Sequence, residues 1–484
     1  MARTLTLVAL PWALAIAAGA CAPRSFDLVI VNGRVVDPES GLDAVRTLGI
    51  NAGRIVEIGS ASLTGRTVID ASGLVVAPGF VDLHSHTQSH DVYKLRAADG
   101  VTSAFELEIG TADVDAWYRE REAGQLINYG VSAGHIQVRM AVFNDPGTRL
   151  PTGPAAHQTA SPAEVAEIVR RLELGLDQGA VSMGAGFVYT PAASREELVA
   201  VFGIAGRRQV PVHLHSRRGV AGVEEALALA AETRAPLHIV HLNSTSVSAT
   251  PEVLAMIAAA RGKGMAVTTE AYPYTAGMTE IQSANLDEYA KAPPERVALL
   301  EWPRTGERLT RESFQRYRKL GGPVVTHTNT EDMVRVAIAS PLTMIASDAY
   351  WEDGIGHPRT TGTYSKILGR YVREATVISL MDAIRKMTLM PARHLEDRVP
   401  AMKTKGRIRV GADADIVVFD AATILDRSTY REPALPATGI RHVLVNGIPV
   451  VANAQVVDGA RPGRALRAPA RLRTDSRPLT SQPR

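Results

Sequence analysis

Between residues 78 and 395 the chain alternates short apolar runs with longer helix-like stretches, and this rhythm constrains its fold more than any other feature. The opening run, Gly79-Phe80-Val81-Asp82-Leu83-His84-Ser85-His86, is followed by strand-like runs at Val101–Leu107, Gly130–Arg139, Ala180–Met183, Val210–Leu214, Pro236–Leu242, Met265–Thr269 and Leu342–Ala346. Helix-like patterning fills Pro162–Leu174, Arg195–Gly206, Val223–Thr233 and Pro251–Lys263. Sustained alternation implies parallel strands joined by crossover helices, and eight such units suit an α/β fold of the (β/α)8 TIM-like barrel type. Glu288–Val324 breaks the rhythm and reads as a helical insertion before the last strand. Val324-Val325-Thr326-His327, after Gly321-Gly322-Pro323, is open to a second reading as an additional strand.

Both ends of the chain read as β structure. Phe26–Asp37 predicts a hairpin turning at Asn32-Gly33, and Leu48–Gly59 another turning at Ala52-Gly53. Related text returns at Ala414–Asp420 and Val443–Val451, where Val445-Asn446-Gly447 repeats Val31-Asn32-Gly33. Each half is too small to bury a face alone. Residues 26–77 and 396–467 are therefore expected to meet in one small β-sandwich flanking a barrel of residues 78–395.

The 484 residues are 45% hydrophobic with a net charge of only +3, the profile of a globular protein with no strong field for nucleic acid. The one cysteine, Cys21, excludes an intrachain disulfide and leaves no thiolate for a metal site in the barrel. Met1-Ala2-Arg3, an apolar run from Leu5 to Ile16, and Ala17-Ala18-Gly19-Ala20 form a secretory signal peptide over residues 1–20, too short for a membrane span. Ala18-Gly19-Ala20-Cys21 is similar to a bacterial lipoprotein box, although leucine is more usual at Ala18. The expectation is export from a bacterial cytoplasm and attachment in the periplasm through a lipidated Cys21; the alternative is ordinary cleavage and a soluble periplasmic protein. Residues 468–484, rich in arginine and proline, read as a disordered basic tail.

In such a barrel, functional side chains come from the C-terminal strand ends. Strand one ends in His84 and His86, which share a face because residues i and i+2 do so in a strand. Strand two ends in Glu106 and Glu108, strand five in His213 and His215, strand six in His241 and strand eight in Asp348. One strand histidine alone is usually a hydrogen-bonded core residue, and Ser347-Asp348 alone could cap the next segment. Five such ends converging on one mouth instead suit a metal hydrolase, with imidazoles and carboxylates on one or two zinc ions and an aspartate for proton transfer. Within each same-face pair the later residue lies nearer the mouth, which favours Glu108 over Glu106 and His215 over His213. The expected ligands are His84, His86, Glu108, His215, His241 and Asp348.

Several longer runs carry a resemblance: Ala77-Pro78-Gly79-Phe80-Val81-Asp82-Leu83-His84-Ser85-His86, Ala133-Gly134-His135-Ile136-Gln137-Val138-Arg139, Ala271-Tyr272-Pro273-Tyr274-Thr275-Ala276, and His357-Pro358-Arg359 followed by Leu368-Gly369-Arg370-Tyr371. With Gly411-Ala412-Asp413-Ala414-Asp415 near the end, the chain resembles the amidohydrolase superfamily, and within it the N-acyl-D-amino-acid deacylase (D-aminoacylase) branch, from about Phe26 to Arg467. The resemblance implies one metal site at His84 and His86 and another at His215 and His241. It makes Asp348 the essential acid/base and Arg359 the partner of a substrate carboxylate. Arg217 and a tyrosine, Tyr189 or Tyr272, are expected to help bind that carboxylate, and His357 to orient Arg359 or the substrate. His135 is a further pocket candidate. The chain departs from the branch where Glu108 stands near the place of a cysteine ligand, Asn243 in place of a lysine and Met278 in place of a serine. Strand four also lacks the lysine that other superfamily members carboxylate. The implied reaction is zinc-dependent hydrolysis of N-acyl-D-amino acids. The alternatives are hydrolysis of dipeptides or other amides with a C-terminal D-residue, or a non-catalytic binding protein on the same fold.

Overall fold

The computed structural model describes residues 25–470. The expected signal peptide, Cys21 and the basic tail beyond residue 470 lie outside the described residues. Eight parallel strands form the barrel: Phe80–Asp82, Val101–Thr111, Asn128–Gly134, Met183–Gly186, Val212–His215, Leu237–Ile239, Val267–Ala271 and Thr343–Ile345. Backbone ladders link each to the next, and strands one and eight seal just beyond their ends, where Ser85 bridges Ala349 and His86 N donates to Ala349 O at 2.8 Å.

A buried ion pair locks that seam. Asp82, at the end of strand one, pairs with Arg96 and accepts from Ser347 N at 3.0 Å and His84 N at 3.2 Å. Neither Asp82 nor Arg96 is exposed to solvent. The aspartate thereby ties strand one to strand eight and sets the backbone that carries His84.

Strand three is shorter than expected. It stops at Gly134, and His135–Phe143 is a helix. Gly134 lies so close to strand two that an added Cβ would sit 2.0 Å from Ile109 O. There the sheet register also breaks, between Glu106 and Thr111, and the chain leaves the sheet. Ile136 and Met140, one helical turn apart, then pack in a small core with Ile109 and Tyr189.

The two chain ends meet as expected, hydrogen-bonded into one nine-stranded sheet. Val75–Pro78 pairs antiparallel with Ile416–Phe419 and joins the halves. Alternation decides the packing: Ile416 and Val418 enter the sheet's own core, whereas Val417 and Phe419 join the barrel core. Ala52-Gly53 and Asn446-Gly447 turn the chain, with φ of 47° and 76°, and 48° and 79°. Asn32-Gly33 does not. Ser25–Asp37 is one continuous strand with a register shift between Ile30 and Gly33, and Asn32 has φ 61°. Its first half pairs with Thr64–Asp70 and its second with Val75–Pro78, so the Asn-Gly pair shifts partners instead of reversing direction.

The expected helical insertion is mixed. Gly277–Glu280, Pro323–Thr326, Leu300–Trp302 and Glu307–Arg308 form a four-stranded sheet beside the helix Arg311–Leu320. Ile281, Leu286, Trp302, Phe314 and Val324 give it a separate core. Val324 thus belongs to this sheet, and the barrel keeps eight strands. Among the described residues, no helix is long and apolar enough to cross a membrane.

Replacing Asp82 by Asn leaves the Arg96 charge buried without its counterion. Loss of one partner of a buried pair costs about 3–5 kcal/mol, so denaturant unfolding should show a clearly lowered midpoint. A midpoint equal to that of the wild type contradicts the role given to this pair.

Candidate metal centre

The strand ends deliver their side chains to one mouth. His84 and His86 face each other with their Nε2 atoms 3.1 Å apart. Glu108 Oε2 lies 2.6 Å from His84 Nε2 and 3.5 Å from His86 Nε2, and Asp348 Oδ1 is 3.2 Å from His86 Nε2. The other Glu108 oxygen is 2.8 Å from His215 Nδ1, which stands 3.1 Å from His241 Nε2. Two ligand groups result, His84–His86–Glu108–Asp348 and Glu108–His215–His241, with Glu108 common to both. Imidazole and carboxylate donors at this spacing fit zinc, and a carboxylate with one oxygen in each group suits a bridging position between two ions.

Outer contacts orient these ligands. Glu270 Oε1 holds His84 Nδ1 at 2.6 Å, Glu106 Oε2 holds His86 Nδ1 at 2.7 Å, and Thr245 Oγ1 lies 3.1 Å from His241 Nδ1. Each such partner turns the opposite ring nitrogen inward. Glu106 therefore backs His86, and Glu108 occupies the shared position. Strand four, Met183-Gly184-Ala185-Gly186, makes room: a Cβ on Gly184 would sit 2.3 Å from Glu108 O. His241 and Asp348 adopt left-handed backbone, with φ of 29° and 52°. Such strain is found most often where a side chain must be aimed.

Burial opposes every charge here, and mutual attraction outweighs it at His84, His86, Glu108 and Asp348 but not at His241. His84 and His86 are raised, His86 to about 10, by facing carboxylates that overcome burial. Glu108 is held low by His215 and His84 against burial. Asp348, likewise buried, is lowered chiefly by the Arg359 guanidinium and His84. Burial and the neighbouring His215 push His241 down to about 3.

Tyr189 and Tyr272 line the cleft above these groups, the Tyr189 ring 4.9 Å from that of His215. Arg359 is wholly buried, with Nη2 at 2.9 Å from Asp348 Oδ2 and the guanidinium 4.7 Å over the Tyr272 ring. Its Nε and Nη1 have no hydrogen-bond partner. His357 Nδ1 accepts from Arg359 N at 3.1 Å, between Tyr274 and Tyr430, so it positions the arginine from behind.

Two expectations need correction. Arg217 turns away from the cleft to Glu225, at 2.5 Å and 2.6 Å, while Arg218 lines it and donates to Asn285 Oδ1 at 2.7 Å. The strand ends at His215, and Glu225 on the following helix captures the first arginine. His135, at the start of a helix, pairs with Glu197 at 2.8 Å and does not enter the cleft. Sequence reasoning also missed Glu270, because strand seven runs through Ala271, past the predicted end at Thr269. Arg149, paired with Glu280 at 3.0 Å, lines the cleft from a loop whose pattern carries no signal for it.

A parallel (β/α)8 barrel with histidines and acids sharing one carboxylate at its mouth defines a metal-dependent hydrolase. Residues 148–451 match the Amidohydrolase family, and the chain belongs to that family. N-acyl-D-glutamate deacylase of Alcaligenes xylosoxydans xylosoxydans is 31% identical over 502 residues, covering 93% of this chain and 98% of that one. D-aminoacylase of the same organism is 29% identical over 495 residues, covering 92% and 98%. The crystal structure of N-acyl-D-glutamate deacylase from Bordetella bronchiseptica, complexed with zinc and a phosphonate mimic of the tetrahedral intermediate, is similar at a TM-score of 0.79. It shares 28% identity over 92% of this chain and 100% of that one. A D-aminoacylase structure described as having a binuclear metal centre matches at 0.78 with 26% identity, over 91% and 100%.

The raised histidines set a pH test for metal uptake. With no ion bound, His86 keeps its proton up to about pH 10, so zinc must expel that proton to bind. Apparent affinity should therefore rise with pH across the neutral range and fall as acid refills the ring. Calorimetry in buffers of different ionisation enthalpy should report proton release, and zinc binding without it contradicts this arrangement.

Proposed function

We propose that the chain is a zinc-dependent amide hydrolase that releases a D-amino acid from an N-acyl-D-amino acid. One observation carries the reading: Asp348 places one oxygen among the metal-type ligands and the other on the buried Arg359 guanidinium. A hydrolytic centre and an anchor for a free carboxylate thus share one side chain's reach. The deacylase relatives, which this chain matches over nearly its whole length, support the same reading.

When bound, zinc supplies Lewis-acid polarisation of the scissile carbonyl and lowers the pKa of water toward about 7. His84, His86, Glu108, His215 and His241 would hold it. Asp348 stays ionised beside Arg359 and His84, so it can accept the proton of the attacking water and hand it to the departing nitrogen. Arg359, buried behind Asp348 and outside the cleft lining, keeps Nε and Nη1 unpaired and would meet the amino-acid carboxylate beside Asp348, with Tyr272 backing its guanidinium. Arg218, whose contact in the cleft is the neutral Asn285, supports an acidic substrate side chain.

Asp348→Asn should retain its metal content and lose about 10²–10⁴-fold in kcat; near-normal turnover removes the aspartate from proton transfer. Arg359→Lys should raise KM for carboxylate-bearing substrates about tenfold or more, because the two-pronged guanidinium contact is lost. A panel of N-acyl-D- and N-acyl-L-amino acids and matching dipeptides decides the substrate class. N-acyl-D-glutamate or N-acyl-D-aspartate should lead it, and a dipeptide at its head overturns the reading.

We also propose export and lipid attachment at Cys21. The support is the charged start, apolar run and small-residue stretch before that cysteine. Cys21→Ser should move the protein from the membrane fraction to the soluble periplasmic fraction; unchanged fractionation argues against the anchor.

A further inference from the structure

Beneath the mouth, the barrel holds another set of imidazoles that the proposed reaction does not use. His213 and His238 are paired residues on strands five and six, with ring centroids 4.6 Å apart. His394 joins them from the helix Leu389–Leu395, which follows the barrel, its ring 5.1 Å from that of His213 and 4.9 Å from that of His238. One nitrogen from each lies within 4.8 Å of the others. We propose that His213, His238 and His394 form a separate binding site for a divalent transition-metal ion of the imidazole-preferring class, zinc in the first instance.

The spacing carries the argument. Two nitrogens, each about 2.0–2.1 Å from one tetrahedral zinc, stand about 3.3 Å apart. Among the described residues, facing imidazole nitrogens approach this closely at His84–His86 and His215–His241, both at 3.1 Å, and at His213–His394, at 3.2 Å. The first two pairs line the mouth. The third repeats their geometry on the floor.

The surroundings suit a third ligand and an entry route. Glu270 Oε2 holds His238 Nε2 at 3.1 Å, and Thr268 Oγ1 meets His238 Nδ1 at 2.8 Å and His394 Nδ1 at 3.4 Å, so an ion ligated by His238 Nδ1 would displace the threonine contact. A carboxylate on the far nitrogen is the usual support of a metal-bound histidine. Thr268 and half-buried His394 line an open cleft of about 810 Å³ at the strands' N-terminal ends, with Asp397 as well as Arg208, Arg261 and Arg398 in its wall. The cleft gives an ion access and gives water room as a fourth ligand.

Filling this site would pin the helix Leu389–Leu395 to the barrel floor. Glu270, which touches both His84 and His238, would lie between this ion and the mouth. His394 hydrogen-bonds to Thr268 and His213 and not to Glu270 or the mouth ligands, so it is the residue to change.

The full chain, stripped with a chelator, reloaded with zinc and desalted, should hold one ion per chain more than His394→Ala treated identically. Turnover of the variant should stay within about twofold of the wild type, which separates this site from the proposed reaction. Equal metal content in the two proteins overturns the proposal. Zinc-edge anomalous diffraction from wild-type crystals provides a measurement that needs no variant. A peak between His213 Nε2 and His394 Nε2 is expected, and a loaded mouth with no peak on the floor overturns the site.

Discussion

A buried carboxylate between two sets of imidazoles is the interaction on which the mouth of this protein depends. Glu108 sends one oxygen to His84 and the other to His215, with almost no solvent on either side. An isolated carboxylate there would be costly, and positive neighbours or a cation must compensate it. The surrounding fold is arranged for that demand. Strand two loses register beyond Glu106, strand four is reduced to Met-Gly-Ala-Gly beside it, and Glu106 and Glu270 turn the first two histidines inward.

That arrangement holds only while the barrel stays closed. Strands one and eight share no regular ladder; the Ser85–Ala349 bridge and the bond from Ser347 N to Asp82 make the junction, with the buried Arg96 neutralising that aspartate. Asp82 reaches Ser347 on one side and His84 on the other, so the same contact that seals the barrel aims a ligand. The sheet from both chain ends supports strand one from outside, since Val75–Pro78 runs into it after pairing with Ile416–Phe419. The insertion at residues 277–326 adds Thr279 and Thr326 to the cleft wall.

The candidate site was legible where its signal is local. H-x-H at His84 and His86 needs only strand alternation, and eight strands followed from the apolar rhythm. It was illegible where distant contacts decide. Arg217 and Arg218 are neighbours of identical chemistry, and Glu225 on the next helix determines which one faces the cleft. Glu270 carries no motif, and its role exists only because His84 and His238 both reach it. Asn32-Gly33 and Asn446-Gly447 make the same point for the fold. The dipeptides are identical, yet one turns the chain and the other sits within a strand that has two successive partners on one edge.

By itself the sequence determined the barrel, the β unit built from both ends, and the strand ends that carry metal-type side chains. Those follow from hydrophobic period and from alternation along a strand, which are properties of neighbouring residues. Position along the strand already favoured Glu108 and His215 for the mouth; only the tertiary structure decided what the other member of each pair does, Glu106 behind His86 and His213 on the floor with His394. Those second roles depend on which partner, remote in the chain, closes around each side chain, and no local spacing encodes them.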